Sequence, residues 1–244
     1  MVKAMPVSGS LGDMLQVGSV LVDFDGTACT RDVGVALLEV FGDPSWPEYD
    51  RMVERGEISL RRALKAQAAM LHTSRKDMVA YAVAHCALDP SFAHFVLWAR
   101  QETVPLVVVS DGFAFHIEPM LVTAGLEDVE VIAGTMDFAG LQPRPGFPNA
   151  HPECVGCGTC KMEAVRARRR RHGRVAFVGD GASDRYAALF ADLVFAKGAL
   201  TGICERDGIP FLPWETFDDV REGLLEYPGV PARAAPARCP DWAT

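Results

Sequence analysis

Four stretches of the chain are almost continuously apolar and run into a polar residue. "VGSVLV" (17–22) leads into "DFDGT", "VPLVVVS" ends at Ser110, "RVAFVGD" ends at Asp180, and "ADLVFAK" covers 191–197. Short valine-rich runs bounded by turn residues predict strands buried on both faces, as in a parallel sheet. Helical spacing separates them at 114–124, 161–171 and 183–190. Strands alternating with helices predict an α/β fold with a Rossmann-like parallel sheet core. Residues 32–100 break the alternation. "DVGVALLEVFG", "PEYDRMVERG", "SLRRALKAQAAML", "SRKDMVAYAVAHCA" and "SFAHFVLWARQE" are helical in period or propensity, with Gly and Pro between them. The pattern predicts an all-helical cap at 32–100, inserted between core segments 16–31 and 101–228. The Pro- and Ala-rich stretch 229–244 lacks periodicity and reads as a flexible tail.

Composition narrows the function. The chain has 244 residues, 49% hydrophobic and 23% charged, enough for an ordinary core. Its net charge of -8 gives no counterion-release drive toward nucleic acid. The one basic run, "RARRRRHGR" (166–174), reads as a solvated helix face. No segment approaches the roughly 18 apolar residues of a membrane span. The N-terminus has no apolar signal region, so the expected location is cytoplasmic, with no membrane or nucleic-acid partner. Seven cysteines, an odd number with three clustered, do not make a secreted disulfide framework.

The polar strand ends are the candidate chemistry, because ligands of open α/β sheets bind beyond the carboxyl ends of the strands. In extended chain, Asp23 and Asp25 point the same way. In "GDGASD", Asp180 and Asp184 straddle a turn into a helix and share a face if the helix starts there. So many carboxylates together need a cation, and hard oxygen donors suit Mg²⁺. Ser110 and Lys161 complete a set fitted to phosphoryl transfer. A carboxylate attacks phosphorus, a second carboxyl handles the proton, and a cation, a lysine and a hydroxyl hold the phosphoryl oxygens. Any one of these short motifs is also an ordinary turn signal; their order, each at a strand end or helix start, is what carries the reading.

"DFDGT", "VVVSDG", "CK" and "VGDGASD" resemble the four motifs of the haloacid dehalogenase superfamily, over residues 17–226. The cap between the first two motifs is similar to that of its phosphoserine-phosphatase-like branch. A closer likeness, in "GEISLRRAL", the Cys-rich approach to Lys161 and "VFAKGALTGICERDGIPFLPWETFDDV", is to the 2-hydroxy-3-keto-5-methylthiopentenyl-1-phosphate phosphatase family. The resemblance implies a Mg²⁺-dependent phosphomonoesterase acting on a small phosphorylated metabolite through an aspartyl-phosphate. It implies Asp23 as nucleophile and Asp25 as acid/base. Ser110, Asp111, Gly112 and Lys161 would bind phosphate. Asp180 would hold the metal with Asp23 and the Asp25 carbonyl, supported by Asp184. Asp111 departs from the methionine-salvage pattern, which has Gly there; this bears on the substrate, not the reaction.

Other readings stay open. Asp32 either meets a substrate amine, as in a phosphoserine- or phosphocholine-type phosphatase, or caps the helix that follows it. Trp46, Tyr49, Phe113 and His116 are further candidates for the pocket wall. A metal-free hydrolytic dehalogenase would not need Asp25 or Asp180, and a non-catalytic metal-binding regulator would not need Asp25. The loop "LQPRPGFPNAHPECVGCGTC" must deliver Lys161. His151, Cys154, Cys157 and Cys160 either hold a structural Zn²⁺ that clips this loop or are small loop residues.

Overall fold

The computed structural model of the chain describes residues 17–140, 142–226 and 239. The expected tail at 229–244 therefore lies outside the described residues, except for Cys239. A seven-stranded sheet has the order β4-β3-β2-β1-β5-β6-β7. Its strands are β1 (Ser19–Val22), β2 (Leu106–Phe113), β3 (Glu130–Asp137), β4 (Arg144–Gly146), β5 (Val175–Gly179), β6 (Leu193–Ala196) and β7 (Leu212–Pro213). All pairings are parallel except β3 with β4. This is the α/β sheet the apolar runs predict. Strands β3, β4 and β7 were not legible in the pattern. β3 ("EVIAGTMD") mixes polar residues and Gly and is only partly buried, while β7 is two residues long. β4 forms inside the stretch read as the lysine-bearing loop.

The buried strands alternate strictly between two apolar layers. Val20, Val22, Val108, Ala176 and Val178 join one. Leu21, Val107, Val109, Val175 and Phe177 join the other. The second layer is covered by α7 (Lys161–His172), α8 (Arg185–Phe190) and α9 (Gly198–Asp207), through Met162, Val165, Phe190 and Leu200. The first is covered by α6 (Ala114–Thr123) and α10 (Phe217–Glu226). The basic run falls on α7 and just beyond it, and much of it is ion-paired: Arg168 with Glu130, Arg169 with Asp192, Arg166 and Arg170 with Glu163.

Residues 32–100 form α1 (Val33–Phe41), α2 (Pro47–Glu54), α3 (Leu60–Ala69), α4 (Arg75–His85) and α5 (Pro90–Gln101). Four of them begin on a short polar side chain that accepts a backbone N–H: Asp32 from Val35, Ser59 from Arg62, Ser74 from Asp77, and Asp89 from Ser91. Such a cap stabilises a helix start by about 1 kcal/mol. The insert does not keep a core of its own. Val33, Leu37, Met78 and Ala82 join the same apolar layer as the strands. Phe92 and Phe95 of α5 pack on Phe217 of α10, with ring centroids 5.0 and 5.3 Å apart. Among the described residues no helix is long and apolar enough to cross a membrane.

Candidate active site

The central strand β1 delivers Asp23 from its carboxyl end, flanked by the ends of β2 and β5. They open into a cleft of about 480 Å³ lined by Asp23, Asp25, Ser110, Lys161, Asp180 and Ser183, among others. Asp23, Asp180 and Asp184 bring one carboxylate oxygen each within 4.8 Å of one another, and no other described group of three His, Cys, Asp or Glu does so. Lys161, first residue of α7 and buried, donates to Asp23 Oδ1 at 2.6 Å, Asp184 Oδ1 at 2.7 Å and Ser183 Oγ at 3.2 Å. Burial opposes its charge, but Asp184 and Asp23 outweigh it and hold the ammonium well above the usual lysine range.

Asp184 is fixed through a 3-10 turn (182–184), not through a shared helix face. Its Oδ2 accepts the N–H groups of Asp180 and Gly181, both at 3.0 Å. Asp180 Oδ1 accepts from Thr27 Oγ1 at 2.7 Å. Gly26 sits at φ +77°, and a Cβ there would stand 2.4 Å from Asp180 Oδ2. The backbone after β1 can therefore approach the carboxylates only as glycine.

The Asp25 carboxylate turns away from this trio. Oδ1 accepts the Val33 N–H at 2.8 Å and Oδ2 the Ser110 hydroxyl at 3.2 Å. Ser110 Oγ also accepts the Gly112 N–H at 2.8 Å. A shift of register between Val109 and Phe113 lets the end of β2 turn these groups into the cleft. A Cβ at Gly112 would stand 3.0 Å from both Asp25 Oδ2 and Ser110 Oγ.

Burial raises each of the three carboxyls, and their neighbours set the balance differently. Burial pushes Asp25 up to about 7, Asp32 adds to this, and the Val33 N–H and Ser110 hydroxyl oppose it. Asp23 is raised by burial and then by Asp184, with Lys161 relieving it only in part. Asp180 is raised by burial despite Thr27. A lysine alone leaves this oxygen cluster short of positive charge, so its donor set and its charge fit a hard divalent cation.

The remaining expected site residues divide. Asp111 lines the cleft, and its Oδ1 accepts the Thr159 N–H at 2.8 Å, so it also anchors the loop before Lys161. Asp32 is exposed and caps α1, accepting from Val35 at 2.8 Å. It also lines a cavity of about 220 Å³ beside the cleft, with Asp50, Leu64, Phe113, His116 and Met136. His116 is 1% exposed, and neither ring nitrogen has a hydrogen-bond partner among the described residues. Burial lowers its pKa to about 3, so it is a neutral imidazole. It lines both cavities, as does Phe113; Trp46 and Tyr49 line neither. Sequence marks His116 only as one turn past Ser110, and burial alone decides its facing.

His151, Cys154, Cys157 and Cys160 surround one small cavity. They do not form the gathered quartet expected for zinc, since no three of their donor atoms lie within 4.8 Å of one another. His151 Nδ1 accepts the Glu153 N–H at 3.1 Å instead.

Fold and site together define a Rossmann-like hydrolase with an aspartate at the end of its central strand. Residues 20–189 match the haloacid dehalogenase-like hydrolase family. The chain belongs to that family, and it is a phosphatase. It is 33% identical over 202 residues to the 2-hydroxy-3-keto-5-methylthiopentenyl-1-phosphate phosphatase of Brevibacillus brevis, covering 81% of this chain and 90% of that one. Identity to the enzyme of the same name from Geobacillus kaustophilus is 30%, covering 83% and 93%. Among solved structures it is similar in fold to a phospho-aspartyl intermediate analogue of phosphoserine phosphatase, with TM-score 0.61, 17% identity, and 85% and 97% coverage. A substrate-bound phosphoserine phosphatase complex gives TM-score 0.66, 15% identity, and 85% and 98% coverage.

Proposed function

We propose that the chain is a Mg²⁺-dependent phosphomonoesterase working through an aspartyl-phosphate on Asp23, with a small uncharged metabolite as leaving group. The observation that carries the mechanism is the separation of two carboxyls on one strand end. Asp23 lies in the carboxylate cluster with Lys161, while Asp25 is held apart by Val33 and Ser110.

Asp23, Asp180 and the Asp25 carbonyl would hold a Mg²⁺, whose charge would offset that of the phosphoryl oxygens. Asp23 attacks phosphorus and the bond to the leaving oxygen breaks. Asp25, protonated near neutral pH, gives that oxygen its proton and releases the alcohol. Lys161 and Ser110 hold the charge that stays on the phosphoryl oxygens. Water then attacks the aspartyl-phosphate, Asp25 takes its proton, and Asp23 and inorganic phosphate are restored. Asp184 acts by fixing Lys161 and the turn that carries Asp180.

The adjoining cavity supports the substrate class. Apolar side chains, Leu60, Leu64, Phe113, Phe115 and Met136 among them, make most of its wall, with Asp32, Asp50, Gln67 and His116 as its polar groups. Among the described residues no lysine or arginine lines it, so a leaving group with a second anion finds no counter-charge there. A neutral keto- or hydroxy-compound with an apolar end fits, as the name of the Brevibacillus relative describes. The second reading, an amine-bearing substrate of phosphocholine type, is favoured by the pair Asp32 and Asp50.

A panel of phosphomonoesters tests this, with 2-hydroxy-3-keto-5-methylthiopentenyl-1-phosphate, phosphocholine, phosphoserine and p-nitrophenyl phosphate assayed in Mg²⁺. The expected order puts the uncharged ester first and phosphoserine last. No turnover of any member overturns the mechanism; preference for phosphoserine overturns the substrate class.

A further inference from the structure

The small cavity beside Lys161 has one wall that the Cys-rich loop does not supply. Cys239 lines it together with Cys154, Cys157 and Cys160. Its volume is about 20 Å³, which suits one ion or one water and not a polynuclear cluster. The thiols are within electrostatic reach of each other: burial and then Asp111 raise the Cys157 thiol, with Cys160, Cys154 and Cys239 adding to this, and burial raises Cys160, with smaller additions from Cys154 and Cys239. We infer that Cys154, Cys157, Cys160 and Cys239 are the four ligands of a structural zinc site, with Cys239, not His151, as the fourth.

The donor chemistry is that of a closed zinc site, four soft sulfurs and no open position. The surroundings supply what four thiolates around a divalent ion need. Cys154 Sγ accepts the Gly156 N–H at 3.4 Å; burial raises the Cys160 thiol and the backbone N–H of Glu163 opposes that, so the ion itself must displace the proton. Such a centre carries net negative charge. Arg61 lines the cavity, and Arg61, Arg62 and Lys65 line the adjoining cleft with Cys154, Cys157 and Cys239. Arg61 also ties α3 to the loop, its Nε donating to the Cys157 carbonyl at 2.7 Å and its N–H to the Gly156 carbonyl at 2.9 Å. The ligand spacing gives each member a place. C-x₂-C-x₂-C puts three sulfurs on one short loop, which leaves the fourth corner to a distant residue. His151 has already turned Nδ1 to its own loop at Glu153. Zn–S bonds of about 2.3 Å require the sulfurs to close to roughly 3.8 Å from one another. No three of them stand within 4.8 Å, so binding draws them inward, through a loop segment that contains Gly156. The consequence is mechanical: the ion joins Cys239 to the loop that ends at Cys160, immediately before Lys161.

Metal analysis of the full chain, purified without a histidine tag, tests the assignment. The result expected is about one zinc per chain in the wild type and in His151→Ala, and its loss in Cys239→Ser. Cobalt substitution should give the intense sulfur-to-metal absorption of a four-thiolate site, weaker in Cys239→Ser. If that variant does not fold, alkylation of the wild type decides: zinc should protect Cys239 along with Cys154, Cys157 and Cys160, and EDTA should expose all four. Zinc kept by Cys239→Ser but lost by His151→Ala overturns the fourth ligand. Iron with acid-labile sulfide overturns the single ion, and failure to bind zinc or cobalt overturns the site.

Discussion

Two carboxyls two residues apart sit in different surroundings, and the proposed mechanism gives them different work. Asp23→Asn keeps the shape of the nucleophile and removes its charge, so turnover should fall on the order of 10⁴-fold or more; near-normal steady-state rates in the purified variant would end the mechanism. Asp25 must be protonated to release an alcohol, and its carboxyl sits at about 7. The sign is therefore a fall in kcat/KM for alkyl phosphates as pH rises above about 7. With p-nitrophenyl phosphate, whose leaving group needs no proton, that alkaline limb should flatten. The same shift acts on stability. A carboxyl raised from 3.8 to about 7 costs nothing below its unfolded value, and the fold loses stability as pH rises through that window. In EDTA, the melting temperature of Asp25→Asn should exceed that of the wild type at pH 8, and the gap should close toward pH 4. His116 stays neutral across this range, so His116→Phe should change KM between substrates and leave the pH profile in place. The pairing of Asp23 with Asp25 is legible in "DFDGT"; the split between their roles is not, because Ser110 and Val33 make it.

At the scale of elements, the loop before α7 and the helix α5 are where sequence pattern and structure part. The loop is anchored by Asp111 to Thr159, and by Asn149, whose side chain donates to the Ala133 carbonyl at 2.9 Å. Asp111→Ala removes one anchor and lets Lys161 drift. A displacement of about 1 Å costs on the order of 10²-fold in rate, so kcat should drop by about that much while the Asp25 pH limb stays put; Asp111→Asn, which keeps the acceptor, should retain most of the rate. The helical period of "SFAHFVLWARQE" correctly marks α5 but not its neighbour. Phe92→Ala opens a hole beside Phe217 and should cost roughly 3–5 kcal/mol, in one transition that unfolds helix and sheet together, because both share an apolar layer. A separate early transition for residues 32–100 in calorimetry would contradict that shared layer.

For the whole molecule, the carboxylate cluster is the feature through which the proposed cation would act. Stripping the metal should abolish hydrolysis and Mg²⁺ should restore it. It should also raise the melting temperature with Mg²⁺ concentration, since a ligand held only by the folded state stabilises it by mass action. Equal activity after exhaustive chelation would count against the proposal. The sequence by itself determined the parallel sheet, the helical insert and the four polar motifs. A strand buried on both faces must be written as one apolar run, and the groups at its carboxyl end follow within a few residues, so the information is local. The edge strands were lost because β3 and β7 bury too little to impose a pattern. Only the tertiary structure decided that Asp25 turns to Ser110, that Asp111 serves the loop, that His116 faces the cleft unpartnered, and that Cys239 returns to the Cys-rich loop. Each of these depends on residues far apart in the chain being pressed together by burial, and neither spacing nor propensity encodes which distant partner a side chain will meet.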